Sequence, residues 1–382
     1  MARFQDVELA DLELTSERLL LRRWRESDAS RVHAVMQDVS MYEHLAVPNP
    51  YTADAARMFV TSLGHEGRDE GTGIGCAVIE RETDLVVGSA ALRLGVNRDV
   101  GYWIATDSRG HGYAAEAART LAGFGFDLGL PVVRLFCDVR NLPSARTALK
   151  AGFAFEGIGA EGGPTDRVRD LARFARRPDD PPGPIATTFT PLPPDGLRDD
   201  VLAVRALKPG DAAELVETDD ELTLRVGFGG PPHTLIRAES ATARAGLISM
   251  VGAASSMAMV DLATGRLAGS LTLRQAGPPQ IGGIGYVVHP FFRGRGYTAR
   301  ALRLLVPWAF GPGNFARLEL GAKTTNVASQ RAALAAGFET DGVRRGRLRN
   351  VDGTFADEVR FALLNPRLVD PPAPTRSQQE QA

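Results

Sequence analysis

The sequence predicts an α+β chain built from two similar domains, each a mixed, mostly antiparallel twisted sheet flanked by helices. The first observation is a repeat. Gly101-Tyr102 returns 184 residues on as Gly285-Tyr286, and Arg109-Gly110-x-Gly112-Tyr113 returns at the same offset as Arg293-Gly294-x-Gly296-Tyr297. Asn141-x-x-Ser144 returns as Asn326-x-x-Ser329 and Gly152-Phe153 as Gly337-Phe338, both 185 on. Asp28-Ala29 returns as Asp211-Ala212 at 183, and Gly88-Ser89 as Gly269-Ser270 at 181. So small a drift in register marks a duplicated domain with altered loops, and the period is too long for a solenoid. The second observation is order: alternating apolar runs joined by short polar turns come before the glycine-rich loop, as in an antiparallel meander. The third is the break between the copies, 177–197, where prolines crowd and block helix and sheet.

The elements follow in sequence. Arg18–Trp24 reads as an opening strand. Asp28 is placed to cap a helix running to about Val39, and Thr52, after the break at Pro48-Asn49-Pro50, caps a second over Ala53–Leu63. Gly75–Glu80 and Leu85–Leu94 form a hairpin around Glu82-Thr83-Asp84, and Val100–Ala105 is the next strand. Then come the glycine loop, a helix from Ala114 to Ala122, the strand Val132–Val139, a helix Ser144–Ala151 stopped by Gly152, and a last strand Leu171–Ala175. Copy two repeats the order and ends on a clear hairpin, Leu348–Val351 and Phe355–Leu364 around Asp352-Gly353. These readings divide the chain into a domain over 1–176, a linker over 177–197, a domain over 198–366 and a disordered, polar, proline-bearing tail over 367–382.

Composition excludes several classes. The chain has 382 residues, 44% hydrophobic and 24% charged, as in a soluble globular protein. Its formal net charge of −2 argues against a nucleic-acid partner, although Arg344–Arg349 is a local basic patch. The two cysteines, Cys76 and Cys137, make neither a disulfide framework nor a metal cluster, so no metal is expected and a reducing cytoplasm is. No apolar stretch approaches the ~18–20 residues of a membrane span, and the first residues lack an apolar signal region.

The chemistry sits in the two glycine loops. Each follows a strand and opens a helix, where unpaired N–H donors and a partial positive charge favour an anion. Glycine lets those amides approach a phosphate, and Arg109 or Arg293 supplies a cation able to fork onto its oxygens. A few charge-assisted hydrogen bonds, about 1.5–3 kcal/mol each, suffice to hold a pyrophosphate. The loops also fit the Gly-x-Gly-x-x-Ala dinucleotide fingerprint, Gly110 to Ala115 and Gly294 to Ala299. That fingerprint usually sits on the first strand of a parallel sheet, whereas hairpin-linked strands precede it here.

Together, Arg109-Gly110-His111-Gly112-Tyr113-Ala114, Asn141-x-x-Ser144, Lys150-Ala151-Gly152-Phe153 and the opening Leu19–Asp28 resemble the RimJ/RimL-type branch of the GNAT acyltransferases. Arg293-Gly294-Arg295-Gly296-Tyr297-Thr298, Asn326-x-x-Ser329 and Gly337-Phe338 carry the resemblance in copy two. It covers most of 14–176 and 200–365, and implies two GNAT-like domains that bind acetyl-CoA as acyl donor. The resemblance gives the pyrophosphate to residues 109–114 and 293–298. It gives the pantetheine arm to the strands at Ile104 and Val288, and further cofactor contacts to Asn141 and Asn326. It also implies a splay between the strand before each loop and the strand after each helix.

The acceptor implied is a primary amine, either a protein N-terminal α-amine or a small molecule. A lysine-like amine costs about 4.6 kcal/mol to deprotonate at pH 7, an α-amine about 1.4. A base is therefore expected, but Glu43, His44, His111 and His289 are equally readable as solvated bystanders. Many family members carry a tyrosine acid seven residues past the motif asparagine; Ala148 and Ala333 stand there instead. Ser144 and Ser329 are the replacement acids, or simply helix caps. Tyr113 and Tyr297 face the cofactor region or pack, and Trp103 lines the slot or packs. Copy two departs from copy one at Thr298 and at Arg300, which stands where copy one has Glu116. Two working sites, one working site beside a degenerate copy, and a non-catalytic CoA sensor or scaffold all fit these residues. So do a monomer whose two copies make an internal pseudo-dimer, and a homodimer.

Overall fold

The computed structural model describes residue 9 and residues 11–162, 168–187, 189–227, 234–252 and 254–367. The expected disordered tail, 367–382, lies outside the described residues except for Arg367. The chain forms two compact units, 1–186 and 187–382.

In the first unit the order is β1 (Leu14–Thr15), β2 (Leu19–Arg22), α1 (Ala29–Val35), α2 (Ala53–Met58), α3 (Glu66–Asp69), β3 (Gly73–Glu80), β4 (Leu85–Arg93) and β5 (Asp99–Ile104). Then follow α4 (Tyr113–Asp127), β6 (Val133–Asp138), α5 (Leu142–Lys150), β7 (Ala154–Gly162) and β8 (Val168–Arg176). The sheet order is β1-β2-β3-β4-β5-β6-β8-β7, antiparallel except where β5 meets β6. α4 packs on β4 and β5 on one face. On the other, Val32, Met36, Tyr51 and Val60 from α1, α2 and their loops pack against Ala77 and Ile79 of β3.

The second unit repeats this plan: β9 (Leu197–Arg198), β10 (Leu202–Ala206), α6 (Ala212–Val216), α7 (Glu221–Val226), α8 (Leu235–Met250), β11 (Ala254–Asp261), β12 (Leu267–Ala276) and β13 (Ile281–Val288). It closes with α9 (Tyr297–Phe310), β14 (Arg317–Lys323), α10 (Val327–Ala335), β15 (Glu339–Arg349) and β16 (Phe355–Leu364). The order is β15-β16-β14-β13-β12-β11-β10-β9, again with one parallel pair, β13 and β14. Alternation along the strands sends Met257 and Met259 of β11 toward α9, and Ala258 toward α6 and α8.

Several local expectations need correction. Asp28 does not cap α1, which stops at Val35. Its carboxylate is buried and accepts from both Arg22 Nη atoms, at 2.8 and 2.9 Å, and from the Arg25 amide. Asp211 does the same with Arg205, at 2.8 and 2.7 Å. The repeated Asp-Ala is thus an anchor of strand to helix. Strand β7 was not expected, because Gly157, Gly159 and Gly162 interrupt its pattern. The proline-rich stretch forms no helix or strand before β9 among the described residues, and parts of it pack on the unit to which they belong. Ile185 N–H donates to Leu149 O in the first unit, and Phe189 is buried against Phe315 in the second. Thr52 does cap α2, its Oγ1 accepting from Ala55 N–H at 3.1 Å.

Candidate functional site

Each parallel strand pair is incomplete. β5 pairs with β6 only at Asp99–Arg134 and Val100–Leu135, so Gly101–Ile104 have no neighbour on that side. β13 pairs with β14 from Ile281–Arg317 to Ile284–Leu320, leaving Gly285–Val288 unpaired there. Because Ala105 N–H donates to Val87 O, alternation turns the Ile104 N–H away from β4 and into the gap. His289 N–H to Ala268 O does the same for Val288. Each gap is a slot along a strand edge that no other strand pairs, although in copy one Ile104 O accepts from Arg109 Nε.

The glycine loop closes one end of each slot. Gly110 and Gly112 have φ of +87° and +85°, and Gly294 and Gly296 +73° and +76°. Residues with a Cβ rarely adopt such angles, so these positions require glycine for backbone reasons. A Cβ there would meet open space, apart from an Arg18 Nη2 contact at 3.6 Å from Gly112. Among the described residues the amides of 110–114 and of 294–298 donate to no protein group. Five N–H donors per loop, at the start of a 15- or 14-residue helix, make an anion cradle.

The motif arginines do not point into it. Arg109 donates to Ile104 O (3.2 Å), Ser40 Oγ (3.2 Å) and Met41 Sδ (3.1 Å). Arg293 forks onto the Asp220 carboxylate (2.6 and 2.8 Å) and Thr223 Oγ1 (2.6 Å) at the start of α7. A carboxylate or hydroxyl within the protein supplies the partner that phosphate was expected to supply. Each arginine ties its loop to the segment after the first helix of its unit, and the cradle is backbone. Arg295 lies over the Phe291 ring, 4.6 Å from its centroid, and His111 stacks on Tyr113.

The motif tyrosines also turn from the slot. Tyr113 donates to Glu80, and Tyr297 to Asp261 Oδ1 at 2.5 Å, each stapling a helix start to the hairpin after β3 or β11. Of the readings left open for them, packing is the one observed. Trp103 stacks on Trp24 with centroids 6.3 Å apart, so it packs as well. Glu43 and His44 are exposed. His289 is buried, with Nδ1 accepting from Phe291 N–H and Nε2 donating to Glu217.

The exchange of Glu116 for Arg300 is an inversion rather than a loss. Glu116 accepts from Ser16 Oγ and from Arg18 Nε and Nη2. In copy two Arg300 donates instead to Asp199, which replaces Ser16. Thr298 is half-buried, and its hydroxyl has no protein partner among the described residues.

The helix caps separate asparagine from serine. Asn141 Oδ1 accepts from Ser144 N–H (3.1 Å) and Asn326 Oδ1 from Ser329 N–H (3.2 Å). The asparagine is the cap, its amide oxygen is occupied, and the serine hydroxyl is released. Ser144 Oγ lies 2.9 Å from Tyr102 Oη, and Ser329 Oγ 2.7 Å from Tyr286 Oη. Both tyrosines sit on the unpaired half of the strand, so each hydroxyl pair borders a slot. Burial pushes both phenols above their ordinary pKa, Tyr102 by a wide margin. Cys137 lies beside Ser144, and burial pushes its thiol up to about 12. Tyr102 and Tyr286 carry the repeated Gly-Tyr, the signal by which they could have been assigned from sequence.

Sequence comparison agrees with this architecture. The sequence model of the acetyltransferase (GNAT) domain matches residues 18–154 and again residues 202–339. The chain is similar to Probable N-acetyltransferase YjcK of Bacillus subtilis (strain 168), 34% identical over 103 residues, 26% of this chain and 56% of that one. It thus spans just over half the length of that relative. Among solved structures, the ribosomal-protein-S5-alanine acetyltransferase from Vibrio fischeri has 18% identity and a TM-score of 0.42, over 45% of this chain and 98% of that one. Mycobacterium smegmatis RimJ in complex with CoA-disulfide has 21% identity and a TM-score of 0.40, over 49% and 93%. With a match in each half of the chain, the protein belongs to the GNAT acetyltransferase family and carries the domain twice.

Proposed function

We propose that both copies hold acetyl-CoA, and that the chain transfers its acetyl group to a primary amine by direct attack in a ternary complex. The observation that carries this reading is the coincidence, in each unit, of an anion cradle with a strand edge left open beside it. The amides of 110–114 and 294–298 take the pyrophosphate. The open edge at Ile104 or Val288 pairs with the pantetheine amides, and its N–H groups are available to the oxyanion that develops on the thioester carbonyl. Bound acetyl-CoA supplies the activated acyl group.

The leaving thiolate takes a proton from Ser144 or Ser329, whose hydroxyl is oriented by Tyr102 or Tyr286. This pair stands in for the tyrosine absent at Ala148 and Ala333. Beyond the slot of copy one, alternation puts Asp138 on the face opposite Ser144, where Arg140 already forks onto its carboxylate, so the acceptor reaches the thioester as a neutral amine. An N-terminal α-amine or a small-molecule amine meets that requirement.

Thiol release over an amine panel tests the reading, with Gly112→Asp and Gly296→Asp as variants. Turnover should fall at least a hundredfold in the double variant. Turnover that survives both substitutions would sink the cradle assignment. CoA binding without thiol release from any amine would make the protein a sensor rather than an enzyme.

A further inference from the structure

Lys323 stands where copy one has Asp138. It ends β14, three residues past the last β13–β14 pair, on the strand face opposite Leu320 and Ala322. Leu320 belongs to the core under α9 and α10, so Lys323 faces the other side, toward α7. Its Nζ donates to Arg225 O in α7 at 2.8 Å, and the residue is 2% exposed. α7 is the helix that Arg293 ties to the glycine loop.

Where β14 leaves β13, copy two therefore has a hydroxyl pair, Tyr286 and Ser329, on one face of the sheet and a buried primary amine on the other. That is the arrangement of a donor site with an acceptor already in place. We propose that Lys323 is an internal acceptor: copy two acetylates its own Lys323 Nζ from acetyl-CoA. This rests on the reading of copy two as an acetyl-CoA site.

The step balances without a further reactant. The neutral Nζ attacks the thioester carbonyl, an N–C bond forms and the C–S bond breaks. The nitrogen loses a proton, and the thiolate gains one to leave as CoA thiol. Burial favours the uncharged amine, lowering its pKa against the opposing field of Asp352. Glu358, the cross-strand partner of Lys323 in β16, is a carboxylate available for the released proton.

The sequence makes the test clean, because Lys150 and Lys208 are the only other lysines and both are exposed. Undirected chemical acetylation follows exposure and marks those two first. The full chain is incubated with acetyl-CoA and mapped by peptide mass spectrometry, while calorimetry follows CoA binding in parallel. Lys323 should carry acetyl at least tenfold above Lys150 or Lys208. The mark should persist in Gly112→Asp and vanish in Gly296→Asp. In Lys323→Arg, which keeps an N–H donor for Arg225 O, the mark should vanish while CoA binding stays.

CoA bound by the Gly112→Asp variant with Lys323 unmodified overturns the proposal and leaves the site reading standing. Acetyl on Lys150 and Lys208 alone, indifferent to Gly296→Asp, also overturns it. No CoA binding by Gly112→Asp overturns the site reading of copy two and this inference with it.

Discussion

Tyr102 and Ser144 act as one unit in this reading, and single-residue changes test it. Replacing Tyr102 with Phe leaves the ring in place and removes only the hydroxyl that meets Ser144 at 2.9 Å. The expected result is a fall in kcat of copy one of about 10–100-fold with KM for acetyl-CoA unchanged, the pattern of a group used in the transition state. Ser144→Ala should cost a similar factor, and the double variant little more. Measurements belong in the Gly296→Asp background, so that copy two is silent. The raised phenol pKa gives the pH dependence a sign: Tyr102 stays protonated beyond its ordinary range. The rate of copy one should therefore show no loss from tyrosine ionisation near pH 10.

At this scale the sequence was only partly legible. It read Ser144 as acid or cap and gave Asn141 to the cofactor, whereas Asn141 is the cap. The choice depends on the turn geometry at Asn141, whose Oδ1 reaches the Ser144 amide. It could not say where Arg109 or Arg293 points. Apart from Ile104 O, which Arg109 also reaches, their partners lie 68 to 73 residues earlier in the chain.

At the scale of elements, an ion pair fixes the second strand of each unit to the turn that follows, buried in the first unit and part-buried in the second. Arg22 and Asp28 are almost wholly buried, and losing one partner strands the other charge. Asp28→Ala should cost about 3–5 kcal/mol, read as a shift in the chemical-denaturation midpoint of the first unit. The six-residue α7 is far too short to persist alone, so it relies on the Arg293 clamp and on Lys323. The Arg293 hydrogen bonds hold the Asp220 carboxyl well below the usual carboxylate range. A depressed acid stabilises the fold above its unfolded pKa, about 3.9, and loses that contribution as pH falls toward its folded value. Amide exchange in α7 should thus stay protected at pH 4–5 and speed up only in stronger acid. In Arg293→Ala it should be fast at neutral pH, and equal protection in both proteins would count against the clamp.

For the whole molecule, the expectation is two acetyl-CoA sites per chain. Calorimetry should give a stoichiometry near two for the native protein and near one for each of Gly112→Asp and Gly296→Asp. Both glycines have positive φ, so the substitution adds backbone strain of about 1–3 kcal/mol as well as a like charge against phosphate. A stoichiometry of one in the native chain would remove one copy from the reading.

Much of this organisation needed no coordinates. The duplication, the order of strands and helices, the proline-crowded junction and the glycine cradles follow from periodicity and from φ preferences, which act between neighbours along the chain. Strand β7 escaped because its glycines erase the alternation that marks a strand. What only the tertiary structure decided is which groups share a slot. The splay of β5 from β6 and of β13 from β14 is a failure of pairing between strands that a helix separates. Tyr102 meets Ser144 42 residues on, and Lys323 meets Arg225 98 residues back. Such contacts arise from packing two faces of one sheet, and no local pattern encodes them.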